Sequence, residues 1–366
     1  MTNEYVELSE IKVSVQQVKN CAFSQWYSKF AGHTPQAKVI KPVPGGFLEY
    51  LEQDGIKLPN DSQFGKSSYY AEIGNNEDNE YSDWEASSDE EHPQGQDVVQ
   101  LFPELHKELK DIFREMGSLT PKLTWSSPKD ATWILANNTL KCTEVNDMYL
   151  LLKASNYITH DLDRALAECF DKNSALEQDG PLQHELVLRK WFDLNPALEF
   201  RVFVKDSAII GVSQRDLNYY DYLELLTETF KDLLDEFVED IVLPRFPDSS
   251  FVCDVYIPRP FEKVWLIDFN PFARKTDSLL FSWNELATID PYKLESDYEL
   301  RLVQENNVAR FASKEHSENQ VPKEVADAIT NPKAIQELAE KWGELLNMQK
   351  AGDSSDDEPG EQNNSL

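Results

Sequence analysis

Two short apolar segments of the chain each carry an acidic residue where a buried strand is normally apolar. They are residues 251–257 (FVCDVYI) and 264–272 (VWLIDFNPF), with Asp254 and Asp268 as the acids. Their β-branched and aromatic residues predict two strands, and the short link with two prolines predicts an antiparallel hairpin. A carboxylate inside a sheet is unfavourable unless it is paired. The fold must therefore supply partners for both acids.

The hairpin acids and a neighbouring amide form a candidate metal site. Asn270 lies two residues after Asp268, so both side chains point to the same face of the strand. Two carboxylates and an amide oxygen suit Mg²⁺, which proteins usually hold together with nucleotide phosphates. In the alternative interpretation Asp254 and Asp268 are structural residues that bond to backbone groups or to a buried arginine. Composition alone leaves both interpretations open.

Basic residues lie on the strand-like segments and loops that precede the hairpin. Residues 184–192, 198–204 and 208–213 are predicted strands, and the short turn at 205–207 makes the last two a hairpin. The basic residues are Lys122, Lys190, Arg201 and Arg215. Arginine and lysine neutralise phosphate oxygens, while Mg²⁺ bridges those oxygens to carboxylates. The pattern favours a phosphate site, with solvated charges or structural ion pairs as the alternative.

The common nucleotide motifs are absent from the sequence. It has neither a Gly-x-x-x-x-Gly-Lys-Ser/Thr loop nor a Gly-x-Gly-x-x-Gly turn. It also lacks the His-Arg-Asp and Asp-Phe-Gly motifs of protein kinases. A nucleotide site in this chain must therefore use a different scaffold.

The charge of the chain limits its partners. Its 366 residues carry a formal net charge of −31, which argues against nucleic acid and anionic membranes, because both select for clustered lysine and arginine. No segment approaches transmembrane length, and residues 1–5 lack the features of a signal peptide. The four cysteines form no Cys-x-x-Cys pair. They predict reduced thiols in the cytosol or nucleus, with the cytoplasm as the expected location.

Hydrophobic periodicity predicts a series of helices. They span residues 10–33, 97–117, 145–155, 161–170, 221–242 and 322–350. Residues 121–129 are predicted to be a basic loop bounded by prolines, and residues 132–136 a strand-like run. Residues 60–96 and 351–366 are acidic and without periodicity, which predicts disorder.

Several motifs, taken in order, resemble the cell-division-cycle-123 family. They are PKLTWSSPKDA (121–131), LVLRKW (186–191), EFRVFV (199–204), IGVSQRD (210–216) and VWLIDFNPF (264–272). The resemblance extends from residue 21 to residue 283 and includes DGIKLP at 54–59 and the acidic insert with its tryptophan. The acids of the hairpin, which follow strands with two separated lysines, also resemble the metal-binding acids of the ATP-grasp fold.

The resemblance implies an α+β fold of the ATP-grasp type. Such a fold has two lobes with antiparallel sheets flanked by helices, and the nucleotide lies between the lobes. Residues 1–59 would form the helical and extended part of the first lobe, 97–190 the nucleotide-binding lobe, and 191–350 the C-terminal lobe with the Mg²⁺ site. Residues 60–96 and 351–366 would be a disordered acidic insert and tail.

The resemblance also assigns ligand contacts by motif position. Lys122 and Lys190 would contact phosphates, and Trp191 and Phe192 would form the hinge beside the adenine. Trp125, Ser127 and Pro128 would lie along the nucleotide, and Glu199, Arg201 and Arg215 would surround the ribose and phosphates. Asp254, Asp268 and Asn270 would hold Mg²⁺. One departure follows the last strand, where Arg274 and Lys275 replace a neutral or acidic turn. No catalytic residue is implied.

In function, the resemblance implies an assembly factor that binds ATP and Mg²⁺. It would bind the γ subunit of eukaryotic translation initiation factor 2 (eIF2), promote assembly of the heterotrimer, and be a monomer when free. Most ATP-grasp proteins activate a carboxylate through an acyl phosphate, so an ATP-dependent carboxylate–amine ligase or kinase is the alternative. A third interpretation is a nucleotide fold that serves purely as a scaffold.

Overall fold

In the described part of the chain eight strands form two sheets, and the first sheet is complete before the second one starts. The computed structural model describes residues 11–59, 98–180, 182–293 and 297–304. In this part of the chain the first sheet has the order β1-β3-β2 and the second the order β7-β6-β4-β5-β8. The strands are β1 (Ala37–Ile40), β2 (Leu119–Leu123), β3 (Leu186–Lys190), β4 (Glu199–Lys205), β5 (Ala208–Gln214), β6 (Phe251–Tyr256), β7 (Trp265–Pro271) and β8 (Glu299–Arg301).

The strand pairing confirms the α+β class and corrects one detail of it. β1 and β2 both pair antiparallel with β3, and β4 to β7 also pair antiparallel, including the two predicted hairpins. β8, however, pairs parallel to β5, so the second sheet is mixed. All described residues lie in one compact unit, and the predicted lobe boundaries stay predictions. The predictions for residues 60–96, 322–350 and 351–366 lie outside the described residues.

Helices cover both sheets with apolar side chains. The α-helices of the described residues are α1 (Val15–Asn20), α2 (Phe23–Trp26), α3 (Gly45–Glu52), α4 (Pro103–Met116), α5 (Val145–Ala154), α6 (Asn156–Asp163), α7 (Lys172–Asp179), α8 (Thr227–Glu236), which continues as a π-helix over Phe237–Val242, and α9 (Trp283–Thr288). Helices α3 to α5 pack against the first sheet, and α8 packs against the second. No helix of the described residues is both long and apolar enough to cross a membrane.

Four of the predicted helices have different bounds in the structure. Those over 97–117 and 221–242 begin later, at Pro103 and Thr227, each after a short 3₁₀ turn. The continuous helix over residues 10–33 is wrong, because α1 ends at Asn20 and Ala22 has an extended conformation. The Phe23 N–H donates to the Thr124 carbonyl (3.2 Å), so a tertiary contact replaces the helical bond. The helix over 161–170 is also wrong: α6 begins earlier, where the Ser155 hydroxyl caps the Ile158 N–H.

Two predictions near the basic motif are corrected as well. The run at 132–136 is not a strand, because residues Lys129–Ile134 form a 3₁₀ helix. Residues 121–129 are not all loop, because their first residues belong to β2, where Pro121 pairs with Leu188. β2 lies at an edge of the described sheet, and an edge strand tolerates proline because one side of it needs no N–H donor.

A polar row crosses the second sheet from edge to edge. Register pairs link Asp268 on β7 to Asp254 on β6, Arg201 on β4, Ser213 on β5 and Arg301 on β8. Residues opposite one another in adjacent strands lie on one face of a sheet. The other face is apolar, with side chains such as those of Val202, Val212, Cys253 and Phe269 in the core. The fold therefore gathers charged residues on one face.

Gly211 lies next to this row beneath the ring of Phe281. A Cβ atom at position 211 would lie 2.7 Å from the Phe281 Cζ atom, and the Phe281 ring is itself held under the Arg301 guanidinium, 4.0 Å from the ring centroid. We expect Gly211→Ala to lower the free energy of unfolding by about 1–3 kcal/mol, because a packed core resists added volume. Urea unfolding measures the change.

Gly45→Ala is the matched control for this substitution. A Cβ atom at position 45 would meet nothing within 4 Å, and the residue lies in the first turn of α3. We expect a neutral or slightly stabilising effect, because alanine loses less backbone entropy than glycine in a helix. Equal stability of the two variants would contradict the packing argument.

Candidate functional site

A buried ion pair joins the two sheets. Lys122 lies on β2 and is fully buried, and its amine donates to the Asp268 carboxylate on β7. Burial lowers the pKa of the Lys122 amine, and the Asp268 carboxylate offsets only part of this effect. Asp268 itself keeps about a fifth of its side chain exposed. The pair therefore places a cation and an acid at the boundary between the sheets, with the acid open to a ligand.

Asp254 is held by two guanidinium groups. The Arg201 Nε and Nη2 atoms donate to its two carboxylate oxygens at 2.7 and 2.9 Å, and the Arg215 Nε atom donates at 3.2 Å. Burial by itself raises the pKa of Asp254, but the arginines outweigh it and hold the pKa well below its usual range. Asp254 is therefore a buried carboxylate in its charged form.

Glu199 completes the acidic part of the cluster. Its carboxylate lies 3.5 Å from the Arg215 Nε atom, and both side chains are largely buried. The Arg215 N–H also donates to the Glu199 carbonyl at 3.0 Å. This backbone contact fixes the start of β4 beside the end of β5, so that Arg215 faces both Glu199 and Asp254.

The structure adds Arg189 to the site. It is 8% exposed, and its Nη1 atom donates to the Ile267 carbonyl on β7 at 3.1 Å. Its Nε atom is buried and has no hydrogen-bond partner among the described residues. Burial lowers the pKa of Arg189, while the charges of Asp268 and Glu199 act in the opposite direction. Arg189 is therefore a buried guanidinium that has one donor without an acceptor among the described residues and lies within the field of two acids.

Lys190 does not join this cluster. It is exposed at the end of β3, and the next residue back, Arg189, has the buried position instead. Side chains alternate between the two faces of a strand, and Arg189 shares a face with Val187, the register partner of Lys122. The register between β2 and β3 therefore places Arg189, and not Lys190, on the face of the sheet that carries Lys122.

The motif that follows β2 is anchored by a buried acid. The Trp125 N–H (3.1 Å), the Ser126 N–H (2.8 Å) and the Ser126 hydroxyl (2.8 Å) all donate to the Asp161 carboxylate on α6. Burial raises the pKa of Asp161 to about 6, although these hydrogen bonds lower it. Asp161 was missed in the sequence because it lies 35 residues from Ser126, and no local pattern marks it.

The other predicted contacts of this motif have structural partners of their own. The Trp125 indole N–H donates to the Val18 carbonyl at 2.8 Å. Ser127 is half-buried, and Pro128 is buried just before the 3₁₀ helix at Lys129–Ile134. Together these contacts fix the segment next to Lys122.

The predicted hinge residues link the two sheets. Trp191 and Phe192 follow β3 directly and are half-buried. The Trp191 N–H donates to the Ser118 carbonyl at 2.9 Å, and the Phe192 ring lies 6.1 Å from that of Tyr256 on β6. This link therefore contacts both sheets.

The remaining predicted ligand, Asn270, is half-buried on β7 opposite Val252. It shares the Asp268 face of the strand because the two residues are two apart. Arg274 and Lys275 beyond it are both exposed, and the Lys275 amine lies 3.3 Å from the His160 Nε2 atom and 3.7 Å from the Glu168 carboxylate.

The basic and acidic side chains at the boundary between the sheets fit an anion together with a cation that prefers oxygen ligands. Four buried or largely buried bases face three acids: Lys122, Arg189, Arg201 and Arg215 against Glu199, Asp254 and Asp268. The described residues contain no group of three or more His, Cys, Asp or Glu side chains that could hold a metal by themselves. A metal here would thus need ligand oxygens besides those of Asp254, Asp268 and Asn270, as Mg²⁺ has when it is bound with phosphates.

Comparison with known proteins decides the family. The D123 family profile matches residues 26–329. The chain belongs to the D123 family. A family member named cell division cycle protein 123, from Candida glabrata, is 59% identical over 360 residues, which cover 98% of this chain and all of the relative. A protein of Vanderwaltozyma polyspora named translation initiation factor eIF2 assembly protein is 52% identical over 375 residues, covering 99% of this chain and all of that protein.

A solved D123-family structure has the same fold. Cdc123 from Schizosaccharomyces pombe superposes with a TM-score of 0.62 at 37% identity, covering 80% of this chain and 99% of that one. These comparisons confirm the family resemblance that the sequence motifs indicated.

The pairing of Asp254 with Arg201 and Arg215 gives this D123-family protein a pH-dependent source of stability. We expect Asp254→Asn to lower the free energy of unfolding at pH 7 by about 3–5 kcal/mol, because it removes the charged carboxylate that pairs with the buried Arg201 and Arg215 guanidiniums. The pKa of Asp254 is lowered in the folded state, so its contribution is present above its unfolded pKa and is lost on acidification. The difference in the free energy of unfolding between wild type and variant should become smaller below about pH 4.

Urea unfolding between pH 3 and pH 7 measures this difference. Asp290→Asn is the control, because it removes an exposed ion pair with Lys293 and should leave stability unchanged. A difference for Asp254→Asn that is small, or that does not depend on pH, would contradict the assignment of a charged, paired carboxylate.

Proposed function

We propose that this chain is an ATP- and Mg²⁺-binding assembly factor for eIF2 that binds the γ subunit. The observation that carries the nucleotide part is the buried cluster at the sheet boundary, which gathers four bases beside Asp254 and Asp268. The family membership and the name of the Vanderwaltozyma relative support the assembly part.

Lys122, Arg189, Arg201 and Arg215 are the groups that would bind the phosphates. Each is now engaged with an acid or a carbonyl, and phosphate oxygens would take over part of these charge-assisted hydrogen bonds. Arg189 replaces the exposed Lys190 in this proposal, because its Nε atom is already buried and without an acceptor.

Asp254, Asp268 and Asn270 would hold Mg²⁺. The ion would supply a positive charge between these oxygens and the phosphates. Asp268 is the more accessible of the two carboxylates, because 20% of its side chain is exposed, compared with 4% of the Asp254 side chain. Trp191 and Phe192, on the link between the sheets, would flank the adenine, while Trp125, Ser127 and Pro128 would line the nucleotide and Glu199 would contact ribose.

The proposed partner is the γ subunit, and the free protein is proposed to be a cytoplasmic monomer. A strongly acidic chain, with a net charge of −31, favours encounter with a partner that has basic surface. Nucleotide would stabilise the arrangement of the two sheets, and through it the surface that the partner binds.

The nucleotide proposal predicts metal-dependent ATP binding that depends on the buried lysine. We expect Lys122→Met and Asp268→Asn each to weaken Mg-ATP binding at least about tenfold, because each removes a charge-assisted contact. Lys190→Met should bind as wild type does, because Lys190 is exposed and apart from the cluster. Titration calorimetry with and without Mg²⁺ measures these affinities, and circular dichroism confirms that each variant folds.

Wild-type affinity in Lys122→Met, or loss of binding in Lys190→Met alone, would place the nucleotide elsewhere. No binding to folded wild type would favour the scaffold interpretation. Phosphate release that requires a small acceptor, and that Asp268→Asn abolishes, would identify the ligase or kinase instead.

The partner proposal predicts direct capture of the isolated γ subunit. We expect the intact chain to retain it in a pull-down with Mg-ATP, and Asp268→Asn to retain less, because the sheets would no longer be ordered by nucleotide. No capture by the wild-type chain would overturn the partner assignment while leaving the calorimetric result intact.

A further inference from the structure

The outer edge of β1 has backbone groups that face away from the sheet. β1 pairs only with β3 among the described strands. In an antiparallel pair, alternate residues direct their N–H and C=O groups to the neighbour. The Gln36 carbonyl accepts from the Lys190 N–H (2.8 Å) towards β3, whereas the Ala37 N–H donates to the Tyr27 hydroxyl (2.8 Å). Val39, two residues on, therefore directs its N–H and C=O away from β3.

A groove of about 520 Å³ runs between this edge and helix α4. Its apolar residues are Val39 and Ile40 from β1 and Ile112 from α4. Lys38 and Ile40 share one face of β1, and Lys38 forms an ion pair with Glu115 of α4 (3.5 Å). Helix α4 therefore flanks, on the Lys38 face of the sheet, the edge of β1 that is open in the sense that no described strand pairs with it.

The helix side of the groove is acidic. Glu104, Glu108, Asp111 and Glu115 line it, and their spacing of four, three and four residues places them in one stripe along α4. Lys38 and Lys107 are the two basic residues that line the same groove. Acids therefore outnumber bases by two beside the open strand edge.

We propose that this groove binds an extended basic segment of a partner protein, which adds a strand to the edge of β1. The outward N–H and C=O of Val39 would supply main-chain hydrogen bonds, as in other cases of strand addition. Alternate side chains of the added strand would lie on the Lys38 face. Lysine or arginine at these positions would meet the acidic stripe of α4.

Charge distinguishes this occupant from two others. A second copy of the chain would bring a net charge of −31 against the acidic stripe. Residues 60–97 of the chain itself contain eleven acids and one lysine, so the acidic stripe would repel this segment as well. The groove lies at β1, whereas Lys122 lies on β2 at the opposite edge of the described sheet, and the proposal is therefore independent of the nucleotide site.

The experiment uses the full chain and two synthetic peptides. One is an eight-residue peptide of alternating lysine and valine, and the other has glutamate in place of each lysine. Fluorescence anisotropy at low salt measures binding, with repeats at increasing salt. We expect the lysine peptide to bind and salt to weaken it, and the glutamate peptide not to bind.

Two variants test the two halves of the groove. Val39→Pro removes the outward N–H but no bond to β3, so the fold should persist and binding should fall at least about tenfold. Glu104→Gln combined with Glu108→Gln should weaken binding about two- to tenfold, since exposed ion pairs are weak. Glu228→Gln combined with Asp232→Asn is the matched control, because these acids occupy the equivalent second and sixth positions of α8.

Hydrogen exchange supplies a direct readout of the edge. We expect the Val39 amide to exchange readily in the free protein and to become protected by the lysine peptide. Protection already present without peptide would show that the chain covers its own edge and would overturn the proposal. Wild-type binding by both groove variants, equal binding of the glutamate peptide, or a dimer in sedimentation that Val39→Pro dissociates would overturn it as well.

Discussion

The ion pair between Lys122 and Asp268 links the two sheets through charge. A lysine without exposed surface is unfavourable unless an acid and further hydrogen bonds compensate it, and here the acid comes from a different sheet. Arg189 repeats the connection, because it lies on β3 and donates to the Ile267 carbonyl of β7. Two buried cations of the first sheet therefore fix the position of β7.

The groups that pair with one another at the boundary between the sheets are the ones that the proposed phosphate ligand would contact. The Asp254 carboxylate is neutralised by Arg201 and Arg215, and the Lys122 amine is neutralised by Asp268. These ion pairs hold the charged groups in fixed positions, so the proposed anion would enter an environment already organised for it. Binding would exchange one set of ion pairs for another rather than order loose side chains.

Part of the site was predictable from the sequence and part was not. The hairpin register brings Asp254 opposite Asp268, as the two interrupted apolar runs indicated. The alternative interpretation has a counterpart in the structure, because Asp254 bonds to a buried arginine and Asp268 pairs with Lys122. The metal interpretation stays a prediction. Arg189 and Asp161 were not selected, since a basic dipeptide does not reveal which residue faces inward and Asp161 acts on a segment far away in the chain.

The sequence by itself determined the α+β class, both hairpins of the second sheet and membership of the D123 family. The hairpins follow from local periodicity and turn chemistry, whereas the class and the family follow from the resemblance that the order of the motifs carries. Only the tertiary structure decided that β2 is a strand despite Pro121 and that Arg189 is buried while Lys190 is exposed. It also decided that Lys122 meets an acid 146 residues away. The reason is that strand phase and charge pairing depend on which elements pack together, and no local pattern encodes that choice.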